Sequence, residues 1–316
     1  MADVVCFGDL LIDFVPLESG LPLGEVAAFA RAPGGAAANV AVGLARLGAS
    51  SAFMGKVGDD PFGHYLADVL EKEGVDVAPL RFETRARTPL AFVSLRADGE
   101  RDFMFYKHPS ADHFFAPDEI DRGAIEAARI FHYDALTMIK PFPRATAFAA
   151  IEAAKGAGLT LSFDVNLRLP LWEGDEAGAR AVVKRAFGHA DVVKMSEEEL
   201  GFLTEGDPSA LVGELWHEGL RLVVITQGGQ GCTLVSPNGT AHVPSIEVAP
   251  VDTTGAGDGF VAGLLKGLLD RPESLDDQGA LRDIARFANV VGAITTTGRG
   301  AIPSLPRREQ VERLLA

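Results

Sequence analysis

The sequence predicts an α/β fold with a mostly parallel sheet that helices cover on both faces. Short apolar runs rich in β-branched residues recur along the chain, namely "DVVCFGD", "SAFMGKVG", "IFHYDAL", "LTLSFDVN", "ADVVKMS" and "RLVVITQG". Segments of helical period lie between several of them, among them "FGHYLADVLEKEG", "AFAAIEAAKGAG" and "EAGARAVVKRAFGHA". Strands that alternate with helices form parallel sheets. No repeat or linker divides the 316 residues, so we expect one domain over residues 1–316.

Two stretches interrupt this alternation, residues 10–32 and residues 88–106. Both are strand-like, and the second has the pattern of a hairpin that turns at the Asp-Gly of "ADGE". We expect them to form a small antiparallel β-sheet that acts as a lid over a ligand cleft. The alternative is a pair of surface hairpins without a role. The apolar residues Phe14, Val15, Phe92 and Phe103 would serve either the lid's own core or an interface.

Composition and charge narrow the possible partners. Hydrophobic residues make up 47% of the chain, which is sufficient for a full core, and no apolar run is long enough to span a membrane. The apolar start of the chain has no basic region before it and is interpreted as a strand rather than a signal peptide. Cys6 and Cys232 have no metal-site or disulfide spacing, which fits a reducing cytoplasm. A net charge of −15 argues against nucleic acid or a membrane surface as partner, but a local nest of N–H groups could still bind a small anion.

A glycine-rich helix start, "DTTGAGDGF", resembles a nucleotide-binding loop only superficially. A dinucleotide fingerprint fails because Phe260 stands where the last glycine belongs, and a Walker A loop fails because Gly55-Lys56 is followed by Val57. The glycines nevertheless free the backbone, and the N–H groups of residues 255–258 would be unpaired and able to bind an anion.

The same helix continues with glycines at a spacing of four, Gly259, Gly263 and Gly267. They would share one face of the helix and allow close packing against a neighbour. Asp258 has two interpretations. It is an acid in a first turn that the helix dipole stabilises, or it is a general base beside an anion site. The dipole would keep Asp258 ionised and therefore weakly basic, which phosphoryl transfer tolerates.

A second glycine-rich helix start is "APGGAAANVAVGLARLG", residues 32–48. A turn at Gly34 and Gly35 precedes a helix with Val40, Leu44 and Leu47 on one face. Asn39 lies in the first turns among alanines, where asparagine is a poor helix former. It either bonds its own backbone or contacts a ligand hydroxyl.

These two segments, "GGAAANVAVGLARLG" and "DTTGAGDGFVAGLL", resemble the two signatures of the ribokinase-like carbohydrate kinases, the phosphofructokinase B-type (PfkB) family. The resemblance runs from "CFGDLLIDF" to "RGAIPSLP", and "FDVNLRLPLW" and "KMSEEEL" are similar to the fructokinase branch. It implies a three-layer α/β/α sandwich that uses ATP to make fructose 6-phosphate. A 2-keto-3-deoxygluconate kinase is the alternative, with Arg101, Lys107 and Arg168 available for a carboxylate. Hypotheses of other classes are a non-catalytic sugar or nucleotide sensor and a dinucleotide-dependent oxidoreductase.

The resemblance also assigns roles to residues in the two signatures. Asp258 matches the catalytic base, and the residues that match the anion hole are Gly255, Ala256, Gly257 and Asp258. The positions that match the sugar site are Asp9, Asp13, Gly34, Gly35, Asn39, Phe105, Asp164 and Arg168. Carboxylate and amide oxygens accept well from sugar hydroxyls. The alternative for Arg168 is an exposed surface arginine.

The nucleotide and metal positions come from the resemblance as well. Those that match the ATP site are Lys194, Thr226, Gly228, Gly231 and Asn289, the last of which could equally be a plain core residue. Glu199 matches an acid that acts on Mg²⁺ through water, although Ser196 stands where the family often has asparagine, and a solvated helix start is the alternative. The positions that match a K⁺ site, mostly through backbone carbonyls, are Asp252, Thr254, Thr295, Gly298, Gly300 and Ser304. We also expect a homodimer through the lid, and lid closure that excludes water.

Overall fold

The computed structural model describes residues 1–18, 20–95, 101–106 and 109–315, and of residues 94, 95 and 101–103 it describes the backbone only. The strands are β1 Val4–Phe7, β2 Leu11–Pro16, β3 Phe29–Gly34, β4 Ser51–Gly58, β5 Leu80–Glu83, β6 Leu90–Leu95, β7 Arg101–Tyr106, β8 Ile130–Asp134, β9 Thr160–Asp164, β10 Val192–Ser196, β11 Leu222–Thr226, β12 Cys232–Ser236 and β13 Gly239–Val243. The helices are α1 Ala36–Arg46, α2 Pro61–Lys72, α3 Arg122–Glu126, α4 Pro141–Gly156, α5 Glu176–Phe187, α6 Glu197–Leu203, α7 Ala256–Asp270, α8 Gln278–Thr295, α9 Ala301–Ser304 and α10 Arg308–Leu315. Among these described helices, none combines the length and apolarity needed to cross a membrane.

The main sheet confirms the predicted parallel arrangement. Within the described residues its strand order is β13-β12-β11-β10-β9-β8-β1-β4-β5. Neighbours from β11 to β5 are parallel, and only β12 and β13 join antiparallel at one edge. Each apolar run recognised in the sequence is one of these strands. Their carboxyl ends therefore meet along one edge, where open α/β sheets bind ligands.

Side chains of the strands alternate between two buried layers. In β1, Val4 and Cys6 belong to a core that α1, α7 and α8 complete, whereas Val5 and Phe7 belong to a core that α4 and α5 complete. Strands buried on both faces are read as continuous apolar runs, which explains their strong signal in the sequence. Each fully buried side chain of this size contributes about 1.5–3 kcal/mol. The result is the expected sandwich of helices, sheet and helices.

Helices α7 and α8 are in close contact, as the spaced glycines predicted. A Cβ on Gly263 would lie 2.8 Å from Cα of Ala288, and one on Gly267 would lie 2.6 Å from the side chain of Ile284. One on Gly259 would lie 2.6 Å from Oγ1 of Thr295. Larger residues would force the helices apart. This packing fixes the axis of α7 and thereby the place of its first turn.

The two interrupting stretches form a separate sheet in the order β3-β2-β6-β7, and we call this sheet the lid after the role predicted for it. The pairs β2–β3 and β6–β7 are antiparallel, as expected, and β2 and β6 join them in parallel. The predicted hairpin turn at residues 97–100 lies outside the described residues. Phe14 stacks on Phe92 with ring centroids 4.8 Å apart, so these two form the lid's own core, whereas Val15 is 39% exposed. The side chain of Phe103 is not among those described.

Asp60 fastens this lid to the body of the protein. It is the N-cap of α2, where Oδ1 accepts from the N–H groups of Phe62 and Gly63 at 2.9 and 3.0 Å. Its oxygens also accept from Thr88, at 2.8 Å from the N–H and 2.9 Å from the hydroxyl. Thr88 comes just before strand β6 of the lid. One buried carboxylate thus holds a helix start and the base of a lid strand.

Asp60→Ala is expected to lower the free energy of unfolding by about 2–4 kcal/mol, because it removes a helix cap and leaves the buried N–H of Thr88 unpaired. Asp277→Ala is the matched control, since Asp277 caps α8 in the same way but is exposed. That control should cost about 1 kcal/mol. Denaturant unfolding of both variants measures the difference, and equal losses would contradict a role for Asp60 in lid attachment.

Candidate active site

A row of polar side chains crosses the carboxyl ends of the central strands. Asp134 on β8, Asp164 on β9 and Lys194 on β10 are register partners, so their side chains lie on one face of the sheet. This face is the one that α1 and α7 cover. All three side chains are buried. Buried polar groups require hydrogen-bond partners, so several of them in one row indicate a candidate site for a polar ligand.

Lys194 is the cation of this row. Its Nζ donates to Oδ1 and Oδ2 of Asp164 at 3.0 and 3.2 Å. Burial alone would lower the pKa of Lys194, but Asp164 and Glu199 raise it, so the side chain stays an ammonium. The same Nζ is 3.1 Å from where a Cβ of Gly257 would lie. It therefore carries a positive charge to the first turn of α7.

Both glycine-rich helix starts need glycine for a structural reason. Gly255, the N-cap of α7, has φ +78, and a Cβ there would lie 2.5 Å from Cβ of Ala301. Gly35, the N-cap of α1, has φ +119, and a Cβ there would collide with the carbonyl oxygen of Asp9. Any other residue would be strained at either position, both by the positive φ and by the clash of its Cβ atom. The two helices can therefore begin directly against neighbouring backbone, beside the polar row.

The start of α7 leaves backbone donors for an anion. Within the described part of the chain, the N–H groups of Gly255, Gly257 and Asp258 donate to no protein acceptor. The N–H of Ala256 instead donates to the carbonyl of Thr253 at 3.2 Å. The prediction that all of residues 255–258 have unpaired N–H groups is thus wrong for Ala256, because the chain makes a turn there before entering the helix. The anion hole itself remains a prediction.

Asp258 lies in this first turn, partly exposed, and its Oδ2 accepts from Nδ2 of Asn39 at 2.7 Å. Loss of hydration raises the pKa of Asp258 to about 6, with Asp164 raising it further while Asn39, Lys194 and Arg168 lower it. The sequence-based expectation considered only the helix dipole, whereas burial is the largest influence on this pKa and makes Asp258 a stronger base than an exposed aspartate. With a pKa of about 6 the group is still mostly ionised at pH 7, as expected. A carboxylate with a pKa near 6 can accept a proton at neutral pH.

The sugar positions lie around the start of α1. Gly34 lies against the carboxylate of Asp13, which a Cβ on the glycine would displace. Asp9 and Phe105 line a cavity of about 250 Å³ below the lid. Asn39 is buried, and its side-chain amide does not bond its own backbone, whereas its contact with a ligand hydroxyl stays a prediction. Its amide bonds the carboxylate of Asp258, far away in sequence.

A loop with Arg168 approaches the site from β9. Arg168 is exposed, and its charge lowers the pKa of Asp258, so the two side chains are near each other. Glu199 supports this loop, because its Oε1 accepts from the N–H of Leu167 at 2.7 Å. Its Oε2 accepts from the N–H of Ser196 at 2.8 Å, and Ser196 caps α6 in return. Ser196 thus completes a capping box, which rationalises the departure from asparagine.

The carboxylate of Glu199 is the group that the family resemblance assigns to Mg²⁺. Both carboxylate oxygens of Glu199 already accept backbone N–H groups, and the lone pairs that remain can accept from water bound to a metal. No cluster of three or more metal-ligating side chains exists among the described residues. Mg²⁺ that arrives on nucleotide phosphates and keeps its waters is compatible with such a site.

The predicted nucleotide loop follows β11. Thr226 ends the strand, and its hydroxyl donates to the carbonyl of Met195 at 3.2 Å. A single helical turn, Gly228–Gln230, comes next. Gly231 then lies against the carbonyl of Val243, which a side chain would displace. These positions lie at the carboxyl edge of the sheet, and their contact with ATP stays a prediction.

Asn289 has an evident structural role. Its Nδ2 donates to the carbonyls of Val243 and Pro244 at 3.0 and 3.2 Å, which fastens the end of β13 to α8. Both hydrogens of the amide are used by the protein. A contact of Asn289 with adenine stays a prediction.

Two loops meet beside the start of α7. Oδ1 of Asp252 accepts from the N–H and hydroxyl of Thr254 at 2.9 and 2.7 Å, and its Oδ2 accepts from the N–H of Gly300 at 2.9 Å. The N–H groups of Val251 and Asp252 donate to the carbonyl of Thr296. These bonds hold the loop before α7 against the loop after α8. Carboxylate, hydroxyl and carbonyl oxygens are what a hard cation such as K⁺ prefers.

The remaining K⁺ positions belong to the second loop. Gly298 lies tightly against the side chain of Ser304. The hydroxyl of Thr295 donates to the carbonyl of Val291 within α8, at 2.8 Å. The hydroxyl hydrogen of Thr295 is thus used within the helix, while its oxygen lone pairs are not used by this bond. The use of backbone carbonyls for K⁺ stays a prediction.

Asp134 is a site residue that the sequence reasoning missed. Its Oδ1 accepts from the N–H of Leu136 at 2.9 Å, and its Oδ2 is buried without a partner among the described residues. Burial raises the pKa of Asp134 well above its usual value, and Asp9, Asp164 and Asp258 add to the effect. The protonated form of Asp134 is therefore more favoured than that of an exposed aspartate. The missed signal was the alternation of polar residues in "IFHYD", at positions that a buried strand normally fills with apolar side chains.

The sequence and the fold of this chain are similar to those of known carbohydrate kinases. The model of the pfkB family carbohydrate kinases matches residues 1–308. The chain is 50% identical over 317 residues to a probable fructokinase-7 of Arabidopsis thaliana, covering 99% of this chain and 92% of that one. A crystal structure of a fructokinase with bound ATP from Xylella fastidiosa has a TM-score of 0.92, with 33% identity, 100% coverage of this chain and 98% of that chain. A fructokinase double mutant from Vibrio cholerae O395, with bound fructose, ADP and potassium ion, has a TM-score of 0.89, 38% identity and coverage of 100% and 99%.

Proposed function

We propose that this chain, which belongs to the pfkB family of carbohydrate kinases and is therefore a sugar phosphotransferase, phosphorylates fructose to fructose 6-phosphate. The observation that carries the proposal is the first turn of α7. There, a carboxylate with a pKa of about 6 adjoins N–H groups without protein acceptors and the ammonium of Lys194. This combination places a proton acceptor and an anion site side by side. The proton acceptor suits a sugar hydroxyl and the anion site suits a phosphate, and phosphoryl transfer requires that both groups are positioned together.

In the proposed reaction, Asp258 accepts the proton of the 6-hydroxyl of fructose. The hydroxyl oxygen forms a bond to the γ-phosphorus of ATP while the bond from that phosphorus to the β-phosphate oxygen breaks, and ADP leaves. The N–H groups of Gly255, Gly257 and Asp258 hold the negative charge of the phosphoryl oxygens during transfer. Lys194 and Arg168 add positive charge beside this path.

Several further roles are part of the proposal. Asp9, Asp13, Asn39 and Phe105 hold the sugar, and Gly34 and Gly35 let the chain approach it. Mg²⁺ bound to ATP supplies charge neutralisation on the phosphates, with Glu199 ordering its water. The loops joined by Asp252 would hold K⁺ through their oxygens. The Vibrio cholerae relative was crystallised with potassium ion, which supports this assignment.

An assay of ADP release from ATP with individual sugars tests the substrate. Fructose is expected to give the highest kcat/KM, above glucose, ribose and 2-keto-3-deoxygluconate. The enzyme should require Mg²⁺ and be stimulated by K⁺. A clear preference for 2-keto-3-deoxygluconate would overturn the fructose proposal and favour the sugar-acid kinase. Arg101, Lys107 and Arg168 were the cations predicted to bind the carboxylate of such a sugar acid. Lys107 and the side chain of Arg101 lie outside the described residues, and Arg168 lies near Asp258.

We also propose a homodimer through the lid. Apart from the aromatic core of the lid, Val15, Leu17, Met104 and Tyr106 are exposed there. Met104 and Tyr106 lie on the sheet face that carries Phe14 and Phe92, whereas Val15 lies on the other face. Exposed apolar side chains on one face favour association. A cytoplasmic location stays our expectation, and both Cys6 and Cys232 are free thiols.

A further inference from the structure

Asn39 and Asp258 make the direct link between the two glycine-rich helices. The bond from Nδ2 of Asn39 to Oδ2 of Asp258, 2.7 Å long, joins residues 219 positions apart. It connects the first turn of α1 to the first turn of α7. Asn39 is only 5% exposed, so this bond is protected from water. The amide orientation follows from chemistry, because an ionised carboxylate can only accept.

The other half of the carboxamide is unsatisfied. Oδ1 of Asn39 is buried and has no hydrogen-bond partner within the described residues. Leaving a buried carbonyl oxygen unpaired is unfavourable. Oδ1 of Asp258 likewise accepts no bond in the described part of the chain, but it is not closed off from the cleft. Nδ2 of Asn39 and Oδ2 of Asp258 therefore bond each other, while Oδ1 of each side chain is available to a ligand.

We propose that Asn39 is a positioning residue for Asp258, in addition to any contact with the sugar. Its N–H fixes Oδ2 and stabilises the ionised carboxylate, which leaves Oδ1 of Asp258 directed to the hydroxyl that loses its proton. The carbonyl of Asn39 accepts from a second hydroxyl of the same polyol. The carboxamide of Asn39 thus links recognition of the sugar to the ionisation and orientation of the Asp258 carboxylate. The inference rests on the proposed function of Asp258.

Other groups near Asp258 do not replace this bond. Lys194 is held by both oxygens of Asp164, and Arg168 is exposed to solvent. Among the described residues, Asn39 is the side chain that donates directly to Asp258. The charged or titratable groups that face it from the surrounding elements are Asp134 on β8, Asp164 on β9, Arg168 after β9, Lys194 on β10 and, through Lys194, Glu199 on α6.

The test uses Asn39→Ala and Asn39→Asp in the full chain, with kcat measured against pH at saturating fructose and ATP. Loss of one hydrogen bond to the charged form should move the acid limb of the profile upward by about half to one pH unit in Asn39→Ala. Asn39→Asp puts two carboxyl groups together and should move it by more than one unit. Alanine suits the interior of α1, so at least this variant is expected to fold. Asn238→Asp, a surface change, should leave the profile unchanged.

A second readout does not depend on turnover. Aspartate labelled with ¹³C at the side-chain carboxyl allows the Asp258 signal to be assigned by its absence in Asp258→Asn and then titrated. An upward shift in both Asn39 variants supports the inference even if fructose proves to be the wrong substrate. An unchanged Asp258 titration, with only a higher KM for fructose, would overturn it and leave Asn39 as a sugar contact. Failure of the proposed function itself would appear separately, as wild-type protein that does not phosphorylate fructose.

Discussion

Asp258→Asn is expected to lower kcat for fructose phosphorylation by about 10²- to 10⁴-fold, the usual contribution of a positioned general base. The amide has the shape of the carboxylate but cannot take the proton of the sugar hydroxyl. Its oxygen can still accept from Asn39, so the contact between α1 and α7 is retained. The dissociation constant for fructose, measured by calorimetry, should therefore change little.

The control for this variant is on the same helix. Asp270→Asn changes the last residue of α7, where the carboxylate pairs with Lys266 at a distance from the cleft. It should leave kcat unchanged. In the wild type, kcat should rise with pH through about 6 and then level off, because Asp258 must be ionised to accept a proton. Near-normal turnover of Asp258→Asn would show that another group, or none, removes the proton.

Local patterns of the sequence predicted the parts of this site that depend on local physics. The strands were predictable because burial on two faces leaves an uninterrupted apolar run, as in β1 and β11. The glycine N-caps were predictable because Gly35 and Gly255 adopt positive φ where no other residue does so without strain. The family resemblance then supplied roles for residues such as Asp258, which a single acid in a first turn does not reveal.

What could not be predicted depends on contacts between distant segments. Nothing near residue 39 indicates that its amide meets the carboxylate of Asp258, since the two helices come together only in the fold. The rise in the pKa of Asp258 could not be predicted for the same reason. The helix dipole is a local property, but the largest influence on this pKa is burial, which exists only in the folded chain. Asp134 was missed because its raised pKa arises first from burial in the fold and then from Asp9, Asp164 and Asp258, which other segments of the chain contribute.

Lys194→Met is expected to have the second large effect, on stability as well as activity. It would leave the buried carboxylate of Asp164 without the ammonium that now lies 3.0 Å away, and Glu199 without its nearest cation. Removing one partner of a buried ion pair typically costs 3–5 kcal/mol, and we expect about that loss in the free energy of unfolding. Lys184→Met, which breaks the exposed pair with Glu214, should cost about 1 kcal/mol or less. Denaturant unfolding at one pH compares the two.

The double variant Asp164→Asn/Lys194→Met separates the two functions of the ammonium. Because it removes both charges of the buried pair, most of the lost stability should return, as expected for groups that interact directly. Activity should not return, since the start of α7 would still lack the positive charge that Lys194 places beside Gly257. If kcat recovered together with stability, Lys194 would act only as the counter-ion of Asp164. If neither recovered, the loss would come from packing around β10 rather than from charge.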